Sequence, residues 1–195
     1  MAAGDIKLVY AASVAVTITL GSLASDATFL AGRESTEISN TVNLFLDYLL
    51  AGKISVGTSP TTSKEIRVYV AGLIDDTTYP DVFDGLDSAE TITDIGIRDA
   101  SLRLAASIQT SSISNQIYYF GPVSVAALFG GTLPKKFVVF VTHNTGVALH
   151  GTESRGYARQ HSGRSSKACY APEGTPNGAV YLAYDAQRAS ENASR

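Results

Sequence analysis

Apolar and polar residues alternate in several short runs of the chain, which is the pattern of strands with one buried face. The clearest run is 65–71, where Ile66, Val68 and Val70 alternate with Arg67 and Tyr69. We predict strands of the same kind at 6–10, 13–20, 102–110, 116–120 and 147–150. The segments between these runs are rich in glycine, proline, asparagine and serine, which favour turns.

The segment 41–56 is ambiguous because its spacing suits two structures. Val42, Leu44, Leu46 and Tyr48 share one face if the segment is a strand, the interpretation that the β-rich context favours. A short helix over 43–50 remains an alternative.

The segment 137–142 is a continuous apolar run, which predicts a buried central strand. The tight turn 143–146 follows it, with Gly146 suited to a positive φ. Gly121-Pro122 is expected to end the strand at 116–120, and 123–129 is expected to form one helical turn.

Seven or eight short strands joined by turns, with no alternation of strand and helix, predict an all-β fold. We expect residues 1–150 to form one antiparallel β-sandwich or jelly-roll-like body. With 195 residues, of which 45% are apolar, the chain can bury a core without disulfides. Its single cysteine, Cys169, has no partner in its own chain.

Residues 151–195 form a polar extension whose charge differs from that of the body. The body holds 14 acidic and 9 basic residues, a net charge of −5, whereas the extension holds 4 and 6, a net charge of +2. We predict an extended arm that docks on a neighbouring subunit by adding a strand to a sheet edge. Three apolar residues would anchor the arm and three arginines would guide it: Val180, Leu182, Tyr184, Arg155, Arg159 and Arg164.

No catalytic motif with a recognised spacing is present, so we do not expect an enzyme or a cofactor. His143 is interpreted as a turn histidine bonded to backbone or water rather than as a base or ligand. The acidic loop 75–90 is interpreted as solvated, since its acids lack the EF-hand spacing of a calcium site. We therefore predict no metal site.

Charge and hydropathy argue against two classes of partner. A net charge of −3 argues against nucleic acid, although the basic segment 155–167 leaves a weak case for it. No apolar run reaches the ~20 residues that span a membrane. Alternation over 13–20 favours a strand rather than the core of a signal peptide.

Several stretches resemble a group of small structural proteins of tailed bacteriophages, and the resemblance covers about residues 10–150. The matching stretches are LGSLA (20–24), LAGRES (30–35), NLFLDYL (43–49), AGKI (51–54), GTSP (57–60), VYV (68–70), YFGPVSV (119–125), FGGTLP (129–134) and VTHNTGVAL (141–149). The group would end soon after His150, so nothing carries over to the extension.

The resemblance implies a virion component that is assembled in the bacterial cytoplasm. We expect a capsid decoration (cement) protein that contacts other virion proteins and copies of itself as a homo-oligomer. A neck or tail component is the alternative within this class. A receptor- or glycan-binding sandwich is a further alternative, for which Tyr79 and Phe83 are the candidate exposed aromatic residues.

Overall fold

The computed structural model describes residues 13–42, 44–151 and 159–160. Strands account for 39% of the residues and helices for 8%, which confirms the predicted all-β class. The strands are β1 (Val14–Ala15), β2 (Ala31–Glu34), β3 (Ile38–Ser39), β4 (Leu49–Ser55), β5 (Lys64–Gly72), β6 (Ala89–Thr91), β7 (Arg103–Thr110), β8 (Ile117–Ser124), β9 (Lys136–His143) and β10 (Arg159–Gln160). The helices are α1 (Ile95–Ser101) and α2 (Val125–Leu128). Among the described residues, neither helix has the length and hydropathy of a membrane span.

The strands form two antiparallel sheets. The smaller sheet has the order β1-β10-β4-β8, and the larger one has the order β6-β2-β9-β5-β7, with β3 also paired to β9. Between the sheets lies the inner core. Its buried residues are Val16, Ile18, Leu20, Ile38, Tyr48, Leu50, Ile54, Val56, Ile66, Val68, Val70, Val125, Phe137, Val139, Val141 and Leu149.

A second cluster, the outer core, covers the opposite face of the larger sheet. Its residues are Tyr69, Ala71, Tyr79, Phe83, Ile92, Leu102, Val138 and Phe140. Strand β9 contributes to both clusters, since Phe137, Val139 and Val141 point inward while Val138 and Phe140 point outward. A strand buried on both faces requires a continuous apolar run, which confirms the prediction for 137–142.

The prediction that Gly121-Pro122 ends a strand is wrong, because β8 continues through both residues to Ser124. Leu50 pairs with Val123 and Gly52 pairs with Phe120, so β8 carries one extra residue at this point. Such a bulge accommodates a proline that lacks an N–H for the ladder. Gly121 has φ +80°, and a Cβ there would overlap the carbonyl oxygen of Leu50.

The strand predicted over 41–56 begins only at Leu49, and residues 44–47 form a loop rather than a strand or a helix. Of the four residues assigned to one buried face, only Tyr48 is buried, because the other three point away from the inner core. The run 13–20 is a strand only at β1, and 147–150 contributes a single bridge between Leu149 and Val56. The strand predicted at 6–10 lies outside the described residues.

Candidate functional site

The acidic loop packs against the body instead of standing in solvent. It links β5 to β6, and Tyr79 and Phe83 within it are 7% and 5% exposed. The Phe83 ring meets the Phe140 ring edge to face, with 5.3 Å between centroids. The Tyr79 hydroxyl donates to Glu37 Oε2 at 3.1 Å. The expectation of exposed aromatic residues at Tyr79 and Phe83 is therefore wrong, because both rings cover the larger sheet.

Aspartates of the loop hold its backbone and its neighbours in place. Asp75 Oδ1 accepts hydrogen bonds from the backbone N–H groups of Thr77 and Thr78, at 2.7 Å each, which lower the pKa of Asp75. Asp81 accepts from the N–H of Thr93 at 2.8 Å and from its hydroxyl at 2.7 Å. The loop therefore uses carboxylates as acceptors for backbone donors, as in an Asx turn.

Asp87 fixes the end of the loop to the body. Its Oδ1 accepts from Arg33 Nε at 2.7 Å and from the Thr19 N–H at 3.0 Å. Burial raises the pKa of Asp87, but the bonds from Arg33 and Thr19 outweigh burial and lower the pKa overall. The resulting ion pair is largely shielded from water, with Asp87 17% exposed.

Glu34, at the end of β2, is fully buried beneath the loop. Its carboxylate accepts hydrogen bonds from the N–H of Gly85 at 2.8 Å and of Asp84 at 3.3 Å. Burial outweighs these two bonds, and the carboxylates of Asp84 and Glu90 add repulsion. Together they raise the pKa of Glu34 to about 7. Gly85 adopts φ +83°, which favours glycine where the turn presents its N–H to Glu34.

Glu34, Asp84 and Glu90 form a three-carboxylate cluster in which one oxygen from each lies within 4.8 Å of the others. Oxygen-only sets suit hard cations such as Ca²⁺, and crowded carboxylates can instead retain a proton. Part of the set is already engaged, because Leu86 N–H donates to Asp84 and the Ser88 hydroxyl donates to Glu90. The absence of a tight metal site remains a prediction.

Sequence reasoning missed Glu34 because it lies 50 residues before Asp84, on a different element. The acidic loop could be found from its composition, but the strand beneath it could not. Glu34 follows Arg33 in a short strand whose sequence contains no cluster of acidic residues that would mark a site. Only the pairing of β2 with β6 brings Glu34 beside the loop.

His143 is completely buried at the end of β9. Its Nε2 lies 3.0 Å from the Leu23 carbonyl oxygen, so Nε2 carries the proton and donates. Its Nδ1 lies 2.9 Å from the Thr145 hydroxyl, which itself donates to the Val147 carbonyl at 3.0 Å, and burial lowers the pKa of His143. The predicted bond of His143 to backbone is confirmed, although His143 is the last residue of β9 rather than a turn residue. Gly146, which follows it, has φ +81° as predicted.

Of the six arm residues assigned to an interaction, the structure describes only the backbone of Arg159. Arg159 lies in β10 and pairs with Ala15 of β1 and Ala51 of β4 in its own chain. Part of the extension thus adds a strand to the smaller sheet, but this segment is not the one with Val180, Leu182 and Tyr184 that was predicted to do so. Arg155, Arg164, Val180, Leu182 and Tyr184 lie outside the described residues.

The loop before β4 presents the largest exposed apolar side chains that are close together in sequence. We call residues 41–42 and 44–47 the apolar loop: Val42 is 86% exposed, Leu44 75% and Leu46 41%. Asn40 anchors it, because its side-chain amide donates to the Phe45 carbonyl and its Oδ1 accepts from the Phe45 N–H. Asp47 Oδ1 accepts from the N–H groups of Tyr48 and Ala126, which joins the loop to α2.

Neither the scan against protein families nor the search of curated proteins finds a match for this chain.

Proposed function

We propose that this chain is a structural component of a tailed-phage virion, most simply a capsid decoration protein. It would contact the shell and other copies of itself through exposed surface rather than through a catalytic site. The sequence resemblance over residues 10–150 and the β-sandwich body support this proposal. The observation that carries it is the apolar loop.

The apolar loop combines fixed geometry with exposure of three large apolar side chains. Leu44 has φ +50°, a left-handed conformation that costs a non-glycine residue about 1 kcal/mol or more. The Asn40 and Asp47 bonds hold the loop in this conformation although Leu44 stays 75% exposed. Exposed apolar side chains on a rigid segment are typical of protein–protein contacts.

The alternatives differ in how much support they retain. A neck or tail component would use the same apolar loop, so it remains open. A receptor- or glycan-binding role was suggested by exposed aromatic residues in the acidic loop. This support is lost because Tyr79 and Phe83 are buried. Tyr119 on β8, 73% exposed, is the aromatic side chain left for such a role among the described residues.

The test is a count of this chain in purified particles of the phage that encodes it, by quantitative mass spectrometry against the major capsid protein. Hundreds of copies would support decoration. About six or twelve copies, as symmetric rings contain, would assign the chain to the neck or tail instead. Absence from purified particles would overturn the virion proposal.

A further inference from the structure

We propose that a groove at the β7 edge of the larger sheet binds a single carboxylate group. The open groove, of about 590 Å³, is lined by residues of β5, α1 and β7. Three arginines, Arg67, Arg98 and Arg103, line it together with Glu65 and Asp99. This binding site is independent of the apolar loop and goes beyond the proposed structural role.

Two of the arginines are held in place by contacts that engage only some of their N–H groups. Arg98 is 7% exposed, and its Nε donates to Asp99 at 2.8 Å while its Nη1 donates to the Thr28 carbonyl at 2.9 Å. Arg67 donates through Nε to Glu65 at 2.8 Å, and its guanidinium lies 4.0 Å above the Phe29 ring. A guanidinium fixed in this way loses little rotamer freedom when it binds an anion.

Arg103 supplies an exposed third guanidinium at the start of β7. Its Nη1 donates to the carbonyls of Ala100 and Leu102, at 3.0 and 3.5 Å, which holds the side chain against the end of α1. Within the described part of the chain, the Nη2 groups of Arg98 and Arg103 have no acceptor. A carboxylate can accept from two such N–H groups at once.

Charge selects the class of ligand. Three arginines and two acids give the groove a formal charge of +1, which one carboxylate neutralises. A phosphate dianion would leave an excess negative charge, and a nucleic acid would be repelled by the negative body. Leu104, 47% exposed, lines the same groove and favours a carboxylate attached to carbon over a small inorganic ion.

The test is a titration of the full-length chain with sodium benzoate, followed by NMR of the arginine Nε–Hε groups. Benzamide serves as the neutral control of the same shape. We expect saturable shifts for Arg67, Arg98 and Arg103 with a millimolar Kd, and no saturable shift with benzamide. Arg103→Gln should weaken benzoate binding about fivefold. Lys135→Gln removes one charge from an exposed ion pair outside the groove and should leave the Kd unchanged.

Three results would overturn the proposal: no saturation with benzoate, an equal loss of affinity in both variants, or tighter binding of inorganic phosphate. Because Arg103 is exposed, its variant is expected to fold, and a circular dichroism spectrum would verify that. A second measurement distinguishes a protein side chain from a small molecule as the source of the carboxylate. A capped peptide with a single aspartate that binds at least about tenfold tighter than benzoate would identify a protein side chain as the ligand. Equal affinity would identify a small carboxylate.

Discussion

The inner and outer cores cover opposite faces of the same sheet, but they are built from different kinds of sequence. Strands supply nine of the sixteen inner-core residues, and those of β5, Ile66, Val68 and Val70, lie at every second position. The outer core depends on Tyr79 and Phe83, two aromatic residues within a loop that is otherwise acidic. A charged loop can therefore complete a hydrophobic core when it carries buried aromatic residues.

The largest expected effect is that of removing the Phe83 ring. Phe83→Ala should lower the free energy of unfolding by about 3–5 kcal/mol, as for a large ring lost from an inner core. Phe137→Ala in the inner core is the matched comparison, since Phe137 is fully buried. Urea unfolding of both variants measures the difference. A loss below about 0.5 kcal/mol for Phe83→Ala would mean that the loop is solvated after all.

Two controls separate the ring contact from a general effect of changing the loop. Leu86 lies in the same loop and is 62% exposed, so Leu86→Ala should change stability by less than about 0.5 kcal/mol. A double-mutant cycle between Phe83 and Phe140 should give a coupling of about 0.5–1.5 kcal/mol, because their rings meet edge to face.

The second effect concerns Glu34, which lies between the sheet and the loop. Its pKa rises from 4.5 to about 7 on folding, so the folded chain binds more protons than the unfolded chain in this interval. The free energy of unfolding therefore falls as pH rises from about 4.5 to about 7, by up to about 3 kcal/mol. Glu34→Gln cannot ionise, and it should be more stable than the wild type above about pH 7 and similar below about pH 4.

The pH comparison must be made as a difference between the two proteins, because His143 acts in the opposite direction. Its lowered pKa means that stability from His143 is present above pH 6.5 and is lost as pH falls below it. The wild type minus Glu34→Gln difference cancels this contribution. A pH-independent difference between the two proteins would contradict the assignment of a raised pKa to Glu34.

Sequence patterns predicted β5 and β9, which supply six inner-core residues, but they did not predict β2, β3 or the contacts of the outer core. Periodicity identifies a residue such as Val68 because its neighbours two positions away share its environment. Phe83 has no such neighbours, and Glu34 acquires its environment from a loop 50 residues away. The strand prediction for the apolar loop was wrong for the opposite reason. Val42, Leu44 and Leu46 have the spacing of a strand but do not form one.

A third, smaller effect on stability separates the part of the C-terminal extension that contains β10 from the part that follows it. Truncation after His150 removes β10, which is the described partner of β1, and should lower stability by about 1–2 kcal/mol. Truncation after Gln160 keeps β10 and should leave stability within about 0.5 kcal/mol of the wild type.

The same truncations test the predicted arm. Truncation after Gln160 removes Val180, Leu182 and Tyr184, so the arm hypothesis predicts fewer copies per particle although the body remains folded. Unchanged occupancy with the chain truncated after Gln160 would contradict an arm that docks on a neighbour. Quantitative mass spectrometry of purified particles measures that occupancy.

The smallest expected effect is that of calcium on the three-carboxylate cluster. Because the oxygens of Glu34 and Asp84 already accept backbone hydrogen bonds, we expect no micromolar or tighter site in a calorimetric titration. Asp84→Ala should give the same titration as the wild type. A tight site that disappears in Asp84→Ala would show that the loop binds a cation.

The proposed function can be tested by binding of the purified chain to undecorated heads of the phage proposed as its source. The variant with Val42→Ser, Leu44→Ser and Leu46→Ser removes the apolar loop surface, and Ile113→Ser, at a residue 58% exposed elsewhere, is the matched control. We expect saturable binding of the wild type and of Ile113→Ser, and at least about a tenfold loss of affinity for the triple variant. Equal binding of the triple variant, or no binding of the wild type, would contradict it.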